Sequence, residues 1–145
     1  MTALPTARRR QLEPGLLAAA DAWPESELQK GVLQRCGAFG WRRVHFLAQP
    51  VVNRRGGVRH VTPFIGDAGW PDTVMVHDAG VLVVVELKQE GKYPDSDQRE
   101  WLDRLAAVPG ILAGVWRPRD WFAHVIDDVL SDPERSARIA RGAAA

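Results

Sequence analysis

Two acids and a lysine stand where the sequence otherwise reads as buried strand. Asp72 follows Pro71 at the head of the strand-like stretch Asp72 to His77, and the valine-rich run Val81 to Lys88 ends in Glu86-Leu87-Lys88. Asp78-Ala79-Gly80 lies between them as a tight turn, so the two stretches fold back on each other and Asp72 comes level with Glu86. Side chains alternate across a strand, which puts Glu86 and Lys88 on one face and Leu87 into the core on the other. Charge at the end of a buried strand is unfavourable unless it is paired or binds a metal. Two close carboxylates repel and raise one pKa, and a hard divalent cation relieves that repulsion through oxygen ligands alone. Mg²⁺ or Mn²⁺ suits such a set better than zinc, because no Cys/His cluster with zinc spacing is present. A lysine beside the cation can orient and help deprotonate a water that attacks phosphorus, or stabilise charge developing on phosphoryl oxygens. The alternative is a surface Glu86–Lys88 ion pair at a strand end, with no chemistry attached.

The elements that must position these groups are legible from periodicity. Pro24 to Gly37 reads as a helix, with Glu25 and Glu27 near its positive end and Leu28, Val32 and Cys36 four apart on one face. Trp41 to Leu47 reads as a strand, and Arg54-Arg55-Gly56-Gly57 as a turn between the strands Pro50–Asn53 and Val58–Thr62. Val81 to Lys88 is the continuous aliphatic run of a strand buried on both faces. Asp95 to Val108 is a helix capped by Asp95 or Ser96, with Trp101, Leu102 and Leu105 on one face. Ile111 to Trp116 is a short strand, and Asp120 to Leu130 a final amphipathic helix. This order describes an α/β domain with a mixed central β-sheet flanked by helices. Residues 1–23, with a short helix at Leu12 to Ala20, read as a flexible arm, and residues 131–145 as a flexible Ala/Arg/Gly tail with too little apolar surface to dock firmly. The domain is thus 24–130.

Composition bounds the function classes. With 145 residues, 46% hydrophobic, 26% charged and a net charge of +1, the chain is one domain and not a wholly disordered protein. A single cysteine, Cys36, cannot form an intramolecular disulfide, as expected of a protein of the cytoplasm, and on the buried stripe it reads as a small core residue. The longest apolar run, Ala79 to Val85, is far short of the roughly 20 residues of a membrane helix, and no stretch near the start suits a signal peptide. Lysine occurs only at Lys30, Lys88 and Lys92, so nearly all basic charge is arginine. Between Gly40 and Gly66 stand Arg42, Arg43, Arg54, Arg55 and Arg59 with no acid, a pattern suited to an anionic polymer or, alternatively, to a solvated basic loop.

Taken in order, Gly69-Trp70-Pro71-Asp72, Glu86-Leu87-Lys88, Gly91, Gln98-Arg99-Glu100-Trp101-Leu102, Trp116-Arg117-Pro118 and Asp120-Trp121 resemble the VRR-NUC branch of the PD-(D/E)XK nuclease superfamily. The likeness covers most of the chain from Glu25 to Leu130. It implies a restriction-endonuclease-like core and a metal-dependent DNA endonuclease. Asp72, Glu86 and the backbone carbonyl of Leu87 would hold Mg²⁺ or Mn²⁺, and Lys88 would be the catalytic lysine. Gln98 would reach back toward the lysine or the scissile phosphate. In the first helix the family places an acid or amide facing the site; Glu25 and Gln29 share the sheet-facing side, although acids also suit a helix start for its dipole alone. Many superfamily members have an acid where Gln29 stands, which leaves a second metal site open. His45 stands where related sequences often carry a histidine. His45, Arg42, Arg43, Arg54, Arg55, Arg59, Arg117 and Arg119 would contact DNA, positioning it without reading its sequence. The resemblance further implies branched or flapped DNA as substrate, as for a Holliday-junction resolvase, and a homodimer. The rival expectation is a catalytically silent DNA-binding module of a phage or defence complex. The six tryptophans read mainly as core residues.

Overall fold

The computed structural model describes residues 4–5 and 11–142. Residues 1–3 and 6–10 of the expected arm and 143–145 of the expected tail lie outside the described residues. The sheet is organised by its most apolar strand, here labelled β5 (Val81–Leu87), whose β-branched side chains favour extended backbone and fill both faces. It pairs antiparallel with β4 (Thr73–His77) and parallel with β6 (Ile111–Trp116). On the far side of β4 lies the antiparallel edge strand β1 (Arg42–His45), giving the order β1-β4-β5-β6. The β4–β5 turn closes with the Gly80 N–H donating to the His77 carbonyl at 3.0 Å, and Gly80 adopts φ +83°, a conformation that glycine takes without steric penalty.

Helices cover both faces, so the chain is a mixed α/β protein with a mixed central sheet. On one face, Leu28, Val32 and Cys36 of α2 (Glu25–Ala38) are fully buried in one cluster with Val83, Val85 and Leu87. Burying such a side chain contributes roughly 1.5–3 kcal/mol. On the other face α3 (Ser96–Ala106) lays Leu102 over Val84 and Ala113, with Val74 and Leu82 alongside. Cys36 is the small core residue that its spacing suggests. Burial pushes its thiol up to about 12, with Arg43 pulling weakly the other way, so almost no thiolate exists near neutrality. We therefore expect the native protein to resist a thiol-reactive maleimide at pH 8 and to label fully once unfolded; rapid native labelling would contradict the packing of α2 on the sheet.

Three departures from the sequence expectations have physical causes. The expected helix Asp120 to Leu130 is two helices, α4 (Pro118–Phe122) and α5 (Val125–Ser131), separated where His124 turns left-handed at φ 57°. The break lets Trp121 pack near α2 while Val125, Ile126, Val129 and Leu130 bury together; Gly31 of α2 faces Trp121 so closely that a Cβ would lie 2.8 Å from its ring. The segment read as a flexible tail contains α6 (Pro133–Ala140), which docks through small side chains. Ser136, Ala137 and Ala140 are buried, the Ser136 hydroxyl donates to the Val129 carbonyl at 2.7 Å, and the Ala140 carbonyl accepts from Gly110 at 2.9 Å. Low side-chain volume is what permits that close approach, and it hides the docking from a count of large apolar residues. Within the expected arm, Leu4 is buried against Gly114, and α1 (Pro14–Ala22) lies two residues further along the chain than the helix read at Leu12 to Ala20.

The hairpin β2 (Gln49–Val52) and β3 (Val58–Val61) forms as read, as a separate two-stranded sheet whose residues are nearly all exposed. Asn53 closes its Arg54–Gly57 turn, its side-chain oxygen accepting from the backbone of Arg55 and Gly57.

Candidate active site

The strand register delivers the two acids to one place. Thr73 pairs with Val85, so Asp72 sits beside Glu86 just past the end of the β4–β5 ladder. There the side chains take over the hydrogen bonding: the Asp72 N–H donates to Glu86 Oε2 at 3.1 Å, and the Leu87 N–H donates to both oxygens of Asp72 at 3.3 Å. Leu87 itself turns inward and is fully buried. Glu86 is only 3% exposed, and its Oε1 receives both the Lys88 ammonium and the Gln98 amide N–H at 2.6 Å. Three donors on one nearly buried carboxylate provide the compensation that its burial requires.

Gln98 reaches Glu86 because α3 begins in a capping box. Asp95 accepts the Gln98 N–H at 2.8 Å, and the Gln98 side-chain oxygen accepts the Asp95 N–H at 3.0 Å. With its oxygen so engaged, the Gln98 amide directs its nitrogen to Glu86. Gln98 therefore both completes the cap of α3 and bonds the Glu86 carboxylate. The loop before Asp72 is pressed onto the same helix turn: Gly69 adopts φ +89°, and a Cβ there would lie 2.4 Å from the Asp97 carbonyl carbon. Gly69→Ala should destabilise the fold by roughly 1–3 kcal/mol. An unchanged midpoint in urea would show that the loop is not held against α3.

Electrostatics mark Asp72 as the perturbed group. Burial and the neighbouring Glu86 push its carboxyl up to about 7, with a smaller push from Glu25, against the hydrogen bonds from Thr73 and Leu87. Burial disfavours the Lys88 ammonium, but the hydrogen bond and charge of Glu86, with Glu25 and Asp72, more than offset it and raise its pKa. His45 is lowered, mainly by burial and against the pull of Glu25, so it is neutral. The Thr73 hydroxyl donates to Asp72 Oδ1 at 2.7 Å, and His45 Nδ1 lies 2.7 Å from that hydroxyl oxygen. Thr73 has one proton to give, so the proton between His45 and Thr73 belongs to Nδ1. The resulting chain, His45 to Thr73 to Asp72, fixes the rotamer of the acid.

Of the residues singled out from sequence, Asp72, Glu86, Lys88, Gln98 and His45 thus converge. Glu25, at the start of α2, is exposed but close enough to act on Asp72, Lys88 and His45. The arginines divide. Arg42, Arg54, Arg55 and Arg59 are exposed on the edge strand and hairpin, and Arg43 lies back against Gly37 of α2. Arg117 donates to the Lys92 carbonyl at 2.9 Å and stacks over Tyr93, while Arg119 pairs with Asp21 and Glu90. These two are engaged in holding the chain's own loops and α1. Thr73 escaped the sequence reading. Its signal was a hydroxyl directly after the acid at an inward-facing strand position.

Asp72 Oδ2 and Glu86 Oε2 each accept one hydrogen bond and retain capacity for another, so this oxygen pair fits a hard divalent cation. Among the described residues, no group of three or more His, Cys, Asp or Glu could hold a metal ion, so further ligands would have to come from backbone, water or substrate. Among the same residues, no helix is long and apolar enough to cross a membrane. No family model, curated protein or solved structure matches the chain.

Proposed function

We propose that the chain is a metal-dependent DNA endonuclease with a restriction-endonuclease-like core of the VRR-NUC kind, acting in the cytoplasm. The observation that carries this reading is the Asp72–Glu86 pair at the sheet end, with Lys88 and Gln98 bonded to one of its oxygens. Asp72, Glu86 and the Leu87 carbonyl would hold Mg²⁺ or Mn²⁺, which supplies Lewis acidity for phosphodiester hydrolysis. Lys88 stabilises negative charge on the phosphoryl oxygens from its place on Glu86. Gln98 holds Glu86, and the His45–Thr73 chain holds Asp72. Arg42, Arg43, Arg54, Arg55 and Arg59 supply phosphate contacts, and with Arg117 and Arg119 engaged internally the basic strand and hairpin are the better supported DNA surface.

Branched or flapped DNA is the proposed substrate and a homodimer the proposed assembly. The test is a sequencing gel with a four-way junction, a flap and plain duplex, each with Mg²⁺ or Mn²⁺. Preferential cutting of the junction or flap is expected; equal cutting of all three contradicts structure selectivity. One observation favours the second reading, a silent DNA-binding module. Glu86 Oε1 is already satisfied by two side-chain donors, an arrangement that also holds a purely structural carboxylate. Binding to all three DNAs with no cleavage in either metal would select it.

A further inference from the structure

Trp70 stands two residues before Asp72 and is 42% exposed, unlike the fully buried Trp41 and Trp116. It is nonetheless well anchored. Its ring meets Trp101 edge to face, with centroids 5.0 Å apart and planes at 79°. Trp101 is held in turn by its indole N–H, which donates to the Ala68 carbonyl at 2.8 Å. Gly69, between Ala68 and Trp70, abuts the backbone of α3 at Asp97, and Pro71 on the other side is buried. The loop is therefore pinned before and after Trp70. An edge-to-face contact leaves much of an indole uncovered, in keeping with the exposure of Trp70.

Position gives this surface its meaning. Trp101 lies three residues after Gln98 on α3, about one helical turn, and Gln98 is bonded to Glu86. An open, well-supported aromatic ring thus packs against the helix whose first turn holds Glu86, and it stands two residues before Asp72 in the chain. In the sequence it follows the acid-free segment between Gly40 and Gly66, which carries five arginines, with Asp67-Ala68-Gly69 in between. An exposed aromatic ring offers the flat face on which a base of single-stranded nucleic acid stacks, whatever its sequence. A paired base offers no such face, because its neighbours in the duplex cover it.

We propose that Trp70 is a stacking platform for one unpaired nucleobase next to the scissile phosphate, so that the site takes DNA with unpaired nucleotides. This rests on the nuclease reading, since it assigns the strand that the site would cut. Trp70 acts here as a positioning residue, touching a base and not the reacting phosphate.

The test uses the full chain in EDTA, where cleavage plays no part, with a short thymidine oligonucleotide containing one 2-aminopurine and with a blunt duplex. Trp70→Leu keeps apolar bulk against Trp101 but removes the aromatic face; Trp70→Phe keeps a face. For the oligonucleotide, Trp70→Leu should weaken binding roughly tenfold and abolish 2-aminopurine quenching, while Trp70→Phe retains most of both. Duplex affinity should be nearly unchanged in both variants. Unchanged oligonucleotide binding by Trp70→Leu, with thermal unfolding as in the unmodified protein, overturns the platform and leaves the nuclease reading standing. Equal losses on oligonucleotide and duplex also overturn it. Failure of the unmodified protein to bind either DNA overturns the nucleic-acid reading itself.

Discussion

Lys88→Ala is expected to lower Mg²⁺-dependent DNA cleavage by at least a factor on the order of 10²–10⁴ while leaving DNA affinity nearly intact. The chemical loss follows from position: among the described residues, Lys88 is the one cation bonded to Glu86. Affinity should survive because the exposed arginines of the strand and hairpin lie elsewhere, and phosphate contacts provide most non-specific binding. The substitution also leaves Glu86 buried with only neutral donors, so some loss of stability is expected. Lys88 is 20% exposed, and solvent reaching it softens that penalty. Binding measured on the same sample as cleavage separates the two effects. Cleavage at near wild-type rate would remove Lys88 from the chemistry. Joint loss of binding and cleavage in a folded protein would place Lys88 in DNA binding instead.

The second large effect is on stability, and its sign opposes that on activity. In the folded protein Asp72 titrates at about 7 against a usual 3.8, chiefly through burial and then through Glu86. The folded state therefore binds more protons than the unfolded state between these values, so the slope of unfolding free energy with pH is negative. The stability associated with the protonated form is fully present below pH 4, is lost as pH rises toward 7, and changes little beyond. The span corresponds to roughly 4 kcal/mol at most. Asp72→Asn cannot ionise. It should match the wild type near pH 4, exceed it by a few kcal/mol at pH 8, and be inactive. Mn²⁺ should raise the unfolding midpoint of the wild type at pH 8 and leave that of Asp72→Asn unchanged, because the cation relieves the repulsion that the variant lacks. Urea unfolding at both pH values, with and without Mn²⁺, measures this. A wild type that gains stability from pH 4 to 8 would contradict the buried carboxylate pair.

The elements that carry the site were the most legible in the sequence. Val81 to Leu87 could be little other than a buried strand, and the Asp78-Ala79-Gly80 turn then determined that Asp72 meets Glu86. Leu28, Val32 and Cys36 announced the packed face of α2 by spacing alone. Less legible were features decided by tertiary context. Nothing local requires His124 to turn left-handed; packing of Trp121 against Gly31, with α5 bent into the core, decides it. Ala137 and Ala140 are valuable for their smallness beside the sheet, which a hydropathy count undervalues. The roles of Thr73 and of the Gln98 nitrogen depend on which hydrogen-bond partners are already taken, a property of the assembled site and not of either residue. Trp70 shows the same dependence in reverse: its type suggests core, and only its exposure beside Asp72 sets it apart.

In the proposed enzyme, Asp72 and Glu86 together hold one divalent cation. A crystal grown with Mn²⁺ and measured at the manganese absorption edge tests it most directly. The predicted result is an anomalous peak between the two carboxylates that disappears in Asp72→Asn. No peak at saturating Mn²⁺, with Lys88 and Gln98 still bonded to Glu86, would contradict it and leave the cluster as a structural ion pair.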